Sequence, residues 1–396
     1  MTSETYDVLV VGGGPSGATA AHDLARAGRR VAMLDRAGRI KPCGGAIPPR
    51  AIRDFAIPDY LLKAKITCAD IISPKGKRVP MPVENGYVGM VDRCEFDEWL
   101  RVRATEAGAV RITGDATALA RDPDGTAVIA FEPKDGPAQR VRARMVILAN
   151  GARSDLARQA IPGQAHPKCV FAYHEIVKVP EDVAARGTYE ATRCDVIYNG
   201  RTSPDFYAWI FPHGDSASIG TGSARKGFSL RGATAEVREQ HGLAGFETIR
   251  REGAPIPMKP LKRWDNGRDV ILAGDTSGVV APASGEGIYY AMLGGRLAAE
   301  AVQMALATGD AAALKTARKR FMKDHGKVFW ILGIMQTFWY RTDWTREHFV
   351  KMCEDKDVQR LTWESYMNKE LVRKDPLAHI KIFFKDMAHL LGLARA

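Results

Sequence analysis

Apolar and polar positions change their rhythm several times along the chain, and each rhythm predicts an element. Val8 to Val11 is a short aliphatic run, the composition of a strand buried on both faces. Ala18 to Ala27 has helical composition, Gly28 ends it, and Arg30 to Leu34 reads as a second strand closing on Asp35. Residues 66–90 read as paired strands around a hairpin turn, Pro74-Lys75-Gly76-Lys77. Asp92-Arg93 opens a helix whose apolar face holds Phe96, Leu100, Val102 and Ala104, with Trp99, ending near Gly108. Short strands then alternate with the turns 122–125 and 133–136, and the last of them, Met145 to Ala149, reads as buried.

From about Ile161 to Pro257 the pattern turns to antiparallel β, with loops rich in Gly, Ser and Asp. A strand over 269–273, a small-residue helix over 288–304 and a mostly helical tail over 311–396 follow. The succession predicts an α/β fold with a Rossmann-like dinucleotide-binding domain, discontinuous over 1–65, 91–160 and 256–310. An antiparallel-sheet substrate domain is expected over 66–90 and 161–255, and a helical C-terminal region over 311–396. At 396 residues the chain is too long for one simple core.

Chemistry enters at the first turn. Gly12, Gly14 and Gly17 stand in G-x-G-x-x-G spacing between the first strand and the first helix. Gly12 suits the tight turn, Gly14 the close approach of backbone to a pyrophosphate, and Gly17 the packing of helix on sheet. The helix N-terminus aims free N–H groups at the phosphates, and Asp35 is placed for an adenosine ribose. A glycine-rich turn alone would be weak evidence, but here the strand, helix and terminal acid accompany it. A ligand with an ADP half is predicted.

Several later loops admit two readings each. Lys41-Pro42-Cys43-Gly44-Gly45-Ala46 is a loop whose backbone can lie against a flat ligand, or a surface turn with an inert thiol. Arg93 reaches a phosphate or flavin edge, or it is a helix-end arginine. Asn150-Gly151-Ala152-Arg153-Ser154 follows a buried strand and suits a cofactor-facing loop. Gly274-Asp275 ends a strand with an acid suited to a ribitol or ribose hydroxyl. Beyond Pro282, the helix N-terminus near Gly285 and Gly287 offers positive dipole to a group that gains charge on reduction. In Pro204 to Pro212, strand alternation puts Tyr207, Trp209 and Phe211 on one face. That stripe either packs a core or lines a slot for a long apolar ligand.

Composition narrows the partners. A net charge of +11 invites an anion: cofactor phosphates, a diphosphate substrate or an anionic membrane surface. The basic residues are scattered, so nucleic acid is not expected. Six cysteines without a C-x-x-C pair argue against a zinc site or a disulfide scaffold. No signal peptide and no 18-residue apolar stretch is evident, so the expectation is a cytoplasmic protein. Val328 to Tyr340 and the amphipathic 379–393, with Lys381 and Lys385, read as a helical cap or as interfacial membrane contact supported by Trp330 and Trp339.

With these segments in view, the chain resembles the geranylgeranyl reductases, within the glutathione-reductase-type, aromatic-hydroxylase-like flavoproteins. The resemblance spans nearly the whole chain. Gly12 to Gly17 with Asp35, Asn150-Gly151 with Ser154, and Gly274-Asp275 match the three flavin motifs, although Asn150 stands where Asp is usual. More specific are KPCGGAIP at 41–48, PDFYAWIFP at 204–212 and SGEGIYYAM at 284–292. The segment 345–369 resembles the chlorophyll and bacteriochlorophyll branch rather than the archaeal lipid branch.

The resemblance implies FAD, with NADPH as electron donor, and saturation of three of the four double bonds of a geranylgeranyl chain. The chain would be carried by (bacterio)chlorophyll or by diphosphate. It implies flavin contacts from Pro15 and Ser16 in the first loop and Arg36 beyond Asp35. Cys43, Gly44, Gly45 and Ala46, and Pro282 and Ile288, join them. Peripheral contact with the intracytoplasmic photosynthetic membrane, and with bacteriochlorophyll synthase there, is a further implication. Protonation of an isolated alkene gives a tertiary carbocation, which needs a dry slot and π faces; Tyr207, Trp209 and Phe211 are the candidates, with Cys43 or Tyr207 as proton relay. The alternatives are an archaeal-type prenyl-lipid reductase, a flavin monooxygenase that would consume oxygen, and a non-catalytic flavin-binding pigment carrier.

Overall fold

The computed structural model describes residues 5–36, 41–84, 86–182 and 189–369. Strand β1 (Thr5–Val11) leads through helix α1 (Pro15–Arg26) to β2 (Val31–Asp35). Next come β3 (Ala46–Ile47), α2 (Pro49–Asp54), β4 (Leu62–Ile66), β5 (Cys68–Ile72), β6 (Arg78–Pro82) and β7 (Val88–Val91). Helix α3 (Arg93–Glu106) precedes β8 (Val110–Thr113), β9 (Asp115–Arg121), β10 (Ala127–Glu132) and β11 (Gln139–Leu148). Then follow α4 (Asp155–Ala160), β12 (Cys169–Lys178), β13 (Arg193–Ile197), β14 (Ala208–Pro212) and β15 (Ser216–Ser223). Helix α5 (Leu230–Gln240), β16 (Thr248–Pro257), β17 (Val270–Leu272) and α6 (Ile288–Thr308) lead to the last three helices, α7 (Lys315–Trp339), α8 (Asp343–Met352) and α9 (Lys356–Asn368).

These elements fall into two compact units. One comprises Met1–Lys41, Arg93–Cys169 and Pro255–Phe329; the other comprises Pro42–Asp92, Val170–Ala254 and Trp330–Ala396. Residues 42–65 thus group with the β-rich lobe, and the helical tail divides within α7.

In the first unit the sheet runs β8-β2-β1-β11-β10-β9, with β17 also paired to β11. Strands β2, β1, β11 and β17 are parallel, as βαβ crossovers require. Helix α1 starts at Gly14 with Pro15 in its first turn, where the missing N–H is no loss. It ends in a Schellman turn: Gly28 N–H donates to Ala25 O and Arg29 N–H to Leu24 O, with Gly28 at φ 77°. Helix α6 lies against α1 backbone to backbone, because a Cβ on Gly295 would stand 2.1 Å from Ser16 O. In α3 the buried apolar positions are Phe96, Leu100 and Ala104. Val102 is 41% exposed and leaves the expected face, since two residues carry it roughly 200° around the helix from Leu100.

The second unit is built on a sheet of order β16-β12-β15-β14-β13-β5-β6, with a small sheet β3-β7-β4 beside it in the same unit. The hairpin β5–β6 forms as the turn chemistry requires, but β5 joins β13 in parallel rather than antiparallel fashion. One face of the large sheet buries Ile72, Val177, Ile197, Ala208, Ile210, Ala217 and Ile219 against Val237 of α5. That helix departs from the all-strand expectation for 161–257. Ser229 Oγ accepts from Gly232 N–H at 3.1 Å to cap it, and Ala233 and Val237, four apart, bury its inner face.

In the tail, Trp330 is 69% exposed whereas Trp339 is 6% exposed and packs beside Phe349, so the two tryptophans do not share a surface. No helix among the described residues is long and apolar enough to cross a membrane. The amphipathic segment 379–393 lies outside the described residues.

Candidate active site

In the first unit the glycine loop joins β1 to α1. Gly12 sits at φ 108°, and a Cβ there would fall 2.4 Å from Ala149 O; one on Gly17 would fall 1.8 Å from Gly12 O. These two glycines serve the fold. Gly14 is different, because its Cβ would meet nothing within 4 Å. Open space at that position, at the mouth of α1, fits a phosphate approaching the helix N-terminus.

Three buried oxygens around this loop lack a hydrogen-bond partner among the described residues: Ser16 Oγ, Asp35 Oδ2 and Asn150 Oδ1. Arg101 Nε stands 3.1 Å from Asp35 Oδ2 as an ion pair without hydrogen-bond alignment, and it donates instead to Gly13 O at 3.0 Å. Leaving such atoms unsatisfied costs on the order of 1–3 kcal/mol each. A polyhydroxylated nucleotide is the kind of ligand that relieves them, so the residues fit an ADP half.

The other two glycine turns are tied together. Gly151 N–H donates to Thr276 Oγ1 at 2.9 Å, and the same hydroxyl donates to Gly151 O at 3.1 Å. Asp275 is buried and ion-paired with Lys41. Gly274 and Gly285 adopt φ 63° and 65°, conformations natural to glycine. Pro282 and Ile288 are buried, and Gly287 opens α6. At that end Glu286 Oε1 accepts from Tyr289 N–H at 3.1 Å, so one free amide of the helix is already satisfied by an acid. Arg36 is partly exposed and pairs with Asp115 at 3.4 Å. Arg93 is buried and gives two 2.7 Å hydrogen bonds to Asp97.

Arg101 was not singled out from sequence. Its signal was there: Arg93, Asp97 and Arg101 fall at i, i+4 and i+8 of α3, and all three are buried. A buried charged stripe on an otherwise amphipathic helix marks a structured polar site.

In the second unit the aromatic stripe occupies the sheet face opposite α5. Tyr207 and Trp209 are 7% and 5% exposed, and Phe211 is partly buried. Their rings run in series, with centroids 6.0 Å apart for Tyr207–Trp209 and 6.1 Å for Trp209–Phe211. Phe211 also packs against a buried cluster of Ile66, Val88, Met90 and Cys194.

The Cys43-Gly44-Gly45 loop sits directly on this stripe. A Cβ on Gly44 would lie 2.8 Å from the Phe211 ring; one on Gly45 would lie 2.6 Å from His213 Nε2 and 2.4 Å from Val91 O. Gly45 also holds φ 76°. Cys43 is partly buried, its Sγ accepting from Gly45 N–H at 3.4 Å, and Ala46 begins β3. Burial pushes the Tyr207 hydroxyl above the usual tyrosine pKa, with Tyr340 and Cys43 adding to the effect. His213, the residue beneath Gly45, is held neutral by burial, its pKa lowered to about 4 despite its bond to Phe211 O. Sequence reading did not find His213, because its partner loop lies far away along the chain.

The first unit has the architecture of a dinucleotide-binding oxidoreductase, and the chain matches the pyridine nucleotide-disulphide oxidoreductase family over residues 6–184. It is 57% identical to geranylgeranyl diphosphate reductase of Rhodobacter capsulatus over 388 residues, covering 98% of each chain. It is 31% identical to digeranylgeranylglycerophospholipid reductase 2 of Methanopyrus kandleri, covering 82% of this chain and 84% of that one. A geranylgeranyl bacteriochlorophyll reductase-like crystal structure from Thermoplasma acidophilum superposes with TM-score 0.81 at 23% identity, covering 95% of this chain and 99% of that one. The chain belongs to the geranylgeranyl diphosphate reductase family.

Proposed function

We propose that this chain is an FAD-dependent reductase that saturates three isolated double bonds of a geranylgeranyl chain and spares the fourth. NADPH is the electron donor, docking transiently, and the substrate is geranylgeranyl-bacteriochlorophyll or geranylgeranyl diphosphate. The observation that carries this reading is the run of Tyr207, Trp209 and Phe211, the first two buried and the third partly so, with a paired-glycine loop lying on it. The much higher identity to the Rhodobacter geranylgeranyl diphosphate reductase than to the archaeal lipid reductase supports a geranylgeranyl substrate over an archaeal lipid.

The loop Gly12 to Gly17, including Pro15 and Ser16, takes the pyrophosphate in this reading, and Asp35, flanked by Arg36 and ion-paired with Arg101, takes the ribose. Asn150-Gly151, Gly274-Asp275, the turn from Pro282 to Ile288 and Arg93 hold the rest. When bound and reduced, FAD supplies a hydride.

This chain's own residues then have three tasks. Trp209, Tyr207 and Phe211 present π faces to positive charge developing on the alkene and keep water away from it. Tyr207 holds its proton through neutral pH, because its pKa lies above the usual value, so its hydroxyl is a donor rather than a base. Cys43, close enough to Tyr207 to affect that value, is the other candidate in the proton path.

The exposed apolar face of α7 and α8, formed by Trp330, Ile331, Ile334, Phe338 and Trp344, is where we place contact with the photosynthetic membrane and with bacteriochlorophyll synthase in it. The test of the reductase is anaerobic incubation with NADPH and each prenyl substrate, followed by mass spectrometry. Masses climbing in two-hydrogen steps and stopping at the phytyl form support it. Unchanged substrates would overturn it.

A further inference from the structure

Behind the middle ring of the aromatic stripe lies a buried polar array that the reaction as described does not use. Strand register puts Gly220 of β15 opposite both His174 of β12 and Trp209 of β14. A Cβ on Gly220 would stand 2.5 Å from each side chain, so the missing side chain is what lets imidazole and indole approach. Two residues earlier on the same face, Ser218 bridges them. Its Oγ accepts from Trp209 Nε1–H at 3.0 Å and lies 2.8 Å from His174 Nδ1. His174 Nε2 lies 3.0 Å from Glu252 Oε2, and Arg250 Nε lies 3.0 Å from Glu252 Oε1. Arg250 in turn donates to Asp92 at 2.8 Å.

In the Nε2–H tautomer of His174 every group of this array has a partner. Burial works to raise the Glu252 carboxyl, but its contacts with His174 and Arg250 outweigh that and hold it below the usual value, so it is ionised. An ionised Glu252 takes the Nε2 proton of His174 as a hydrogen bond. Nδ1 is then an acceptor for the Ser218 hydroxyl, whose lone pair accepts the indole N–H. Every bond points from Trp209 toward the carboxylate, a direction in which hydrogen bonds polarise one another. Trp209, Ser218 and His174 are 5%, 0% and 2% exposed, so water does not compete.

We propose that Ser218, His174 and Glu252 are positioning residues for Trp209: they fix the indole plane and draw electron density onto its ring, presenting a face suited to a carbocation. This rests on the reductase reading above. The array also explains why a tryptophan, and not another aromatic, stands at the centre of the stripe, since a phenyl ring has no N–H to anchor.

The test is a double-mutant cycle of Ser218→Ala and Trp209→Phe in the holoenzyme, with the wild type as reference. In the wild-type background Ser218→Ala is expected to lower kcat for prenyl reduction on the order of tenfold, the equivalent of one buried hydrogen bond. KM for NADPH stays unchanged, and partly reduced products accumulate. In the Trp209→Phe background the same change costs less than about twofold, because the anchored group is gone. Equal losses in both backgrounds would overturn the proposal, as would no loss in the first.

A second measurement needs no variant to be active. In a wild-type protein labelled with 15N at its indoles, the Trp209 signal, identified by its absence in Trp209→Phe, exchanges with solvent far more slowly than that of exposed Trp330. Comparable exchange rates would also overturn the proposal. A wild type inert toward prenyl substrate overturns both this proposal and the functional reading, whereas an active wild type with additive variants overturns this proposal alone.

Discussion

Gly12, Gly14 and Gly17 lie in one loop, yet the structure gives an added methyl group three different receptions. At Gly17 it falls 1.8 Å from the carbonyl of Gly12, and at Gly12 it falls 2.4 Å from Ala149 O in a backbone at φ 108°. At Gly14 it meets nothing within 4 Å, and the backbone there, φ −75° and ψ −176°, is extended and open to any residue.

Gly14→Ala should therefore change the stability of the flavin-free protein little. Reduced freedom of the unfolded chain gains about 0.4–1 kcal/mol, and alanine loses a similar amount as a helix N-cap. Gly17→Ala, which must move backbone, should cost at least ~3 kcal/mol. Flavin binding should move the other way. A methyl in the phosphate approach forfeits a charge-assisted backbone hydrogen bond, about 1.5–3 kcal/mol, or about 10- to 150-fold in Kd. Thermal melts of the stripped proteins and titration with FAD, followed by flavin fluorescence, read the two effects separately. The reasoning is refuted if Gly14→Ala binds FAD within about twofold of wild type, or if its apoprotein is destabilised as much as Gly17→Ala.

Three further expectations follow from the second unit. His213 has a folded pKa of about 4, below the unfolded value of about 6.5, so its stabilising effect is complete above pH 6.5 and is lost as pH falls toward 4. Denaturant unfolding at pH 7.5 and pH 5 should show a loss of about 2 kcal/mol that His213→Asn largely removes; an unaltered loss in the variant contradicts the assignment. Trp209→Ala should bind FAD normally while slowing flavin reoxidation by prenyl substrate by at least about tenfold, and unchanged turnover would show that the stripe is packing only. Trp330→Glu with Ile334→Glu should abolish sedimentation with anionic vesicles without altering turnover of soluble geranylgeranyl diphosphate, whereas persistent sedimentation would move the membrane contact elsewhere.

The β1–α1–β2 unit was legible because its signals are local. The glycine spacing, Pro15, the Schellman turn at Gly28 and the terminal acid all lie within one short stretch. The aromatic stripe was legible for the same reason, since alternation along one strand fixes which side chains share a face. What sequence did not give is long-range. The parallel pairing of β5 with β13, and the meeting of His174, Ser218 and Trp209, depend on cross-strand register between distant segments.

Helix α5 escaped notice because Arg, Gly and Thr interrupt its short apolar stripe between stretches of strand composition. Val102 and Trp339 were misplaced by grouping apolar residues without following helical phase. Gly45 read as part of a loop for a flat ligand or of a surface turn, and only the fold shows that His213 and Val91 leave it no room for a side chain.

The central claim is that this chain, loaded with FAD, reduces isolated alkenes of a geranylgeranyl substrate. Single-turnover mixing of anaerobic, photoreduced enzyme with geranylgeranyl diphosphate or its bacteriochlorophyll ester, without NADPH, addresses it directly. The account predicts return of the oxidised-flavin absorbance, with one two-hydrogen gain in substrate mass for each flavin reoxidised. A flavin that stays reduced with both substrates until oxygen is admitted would contradict it.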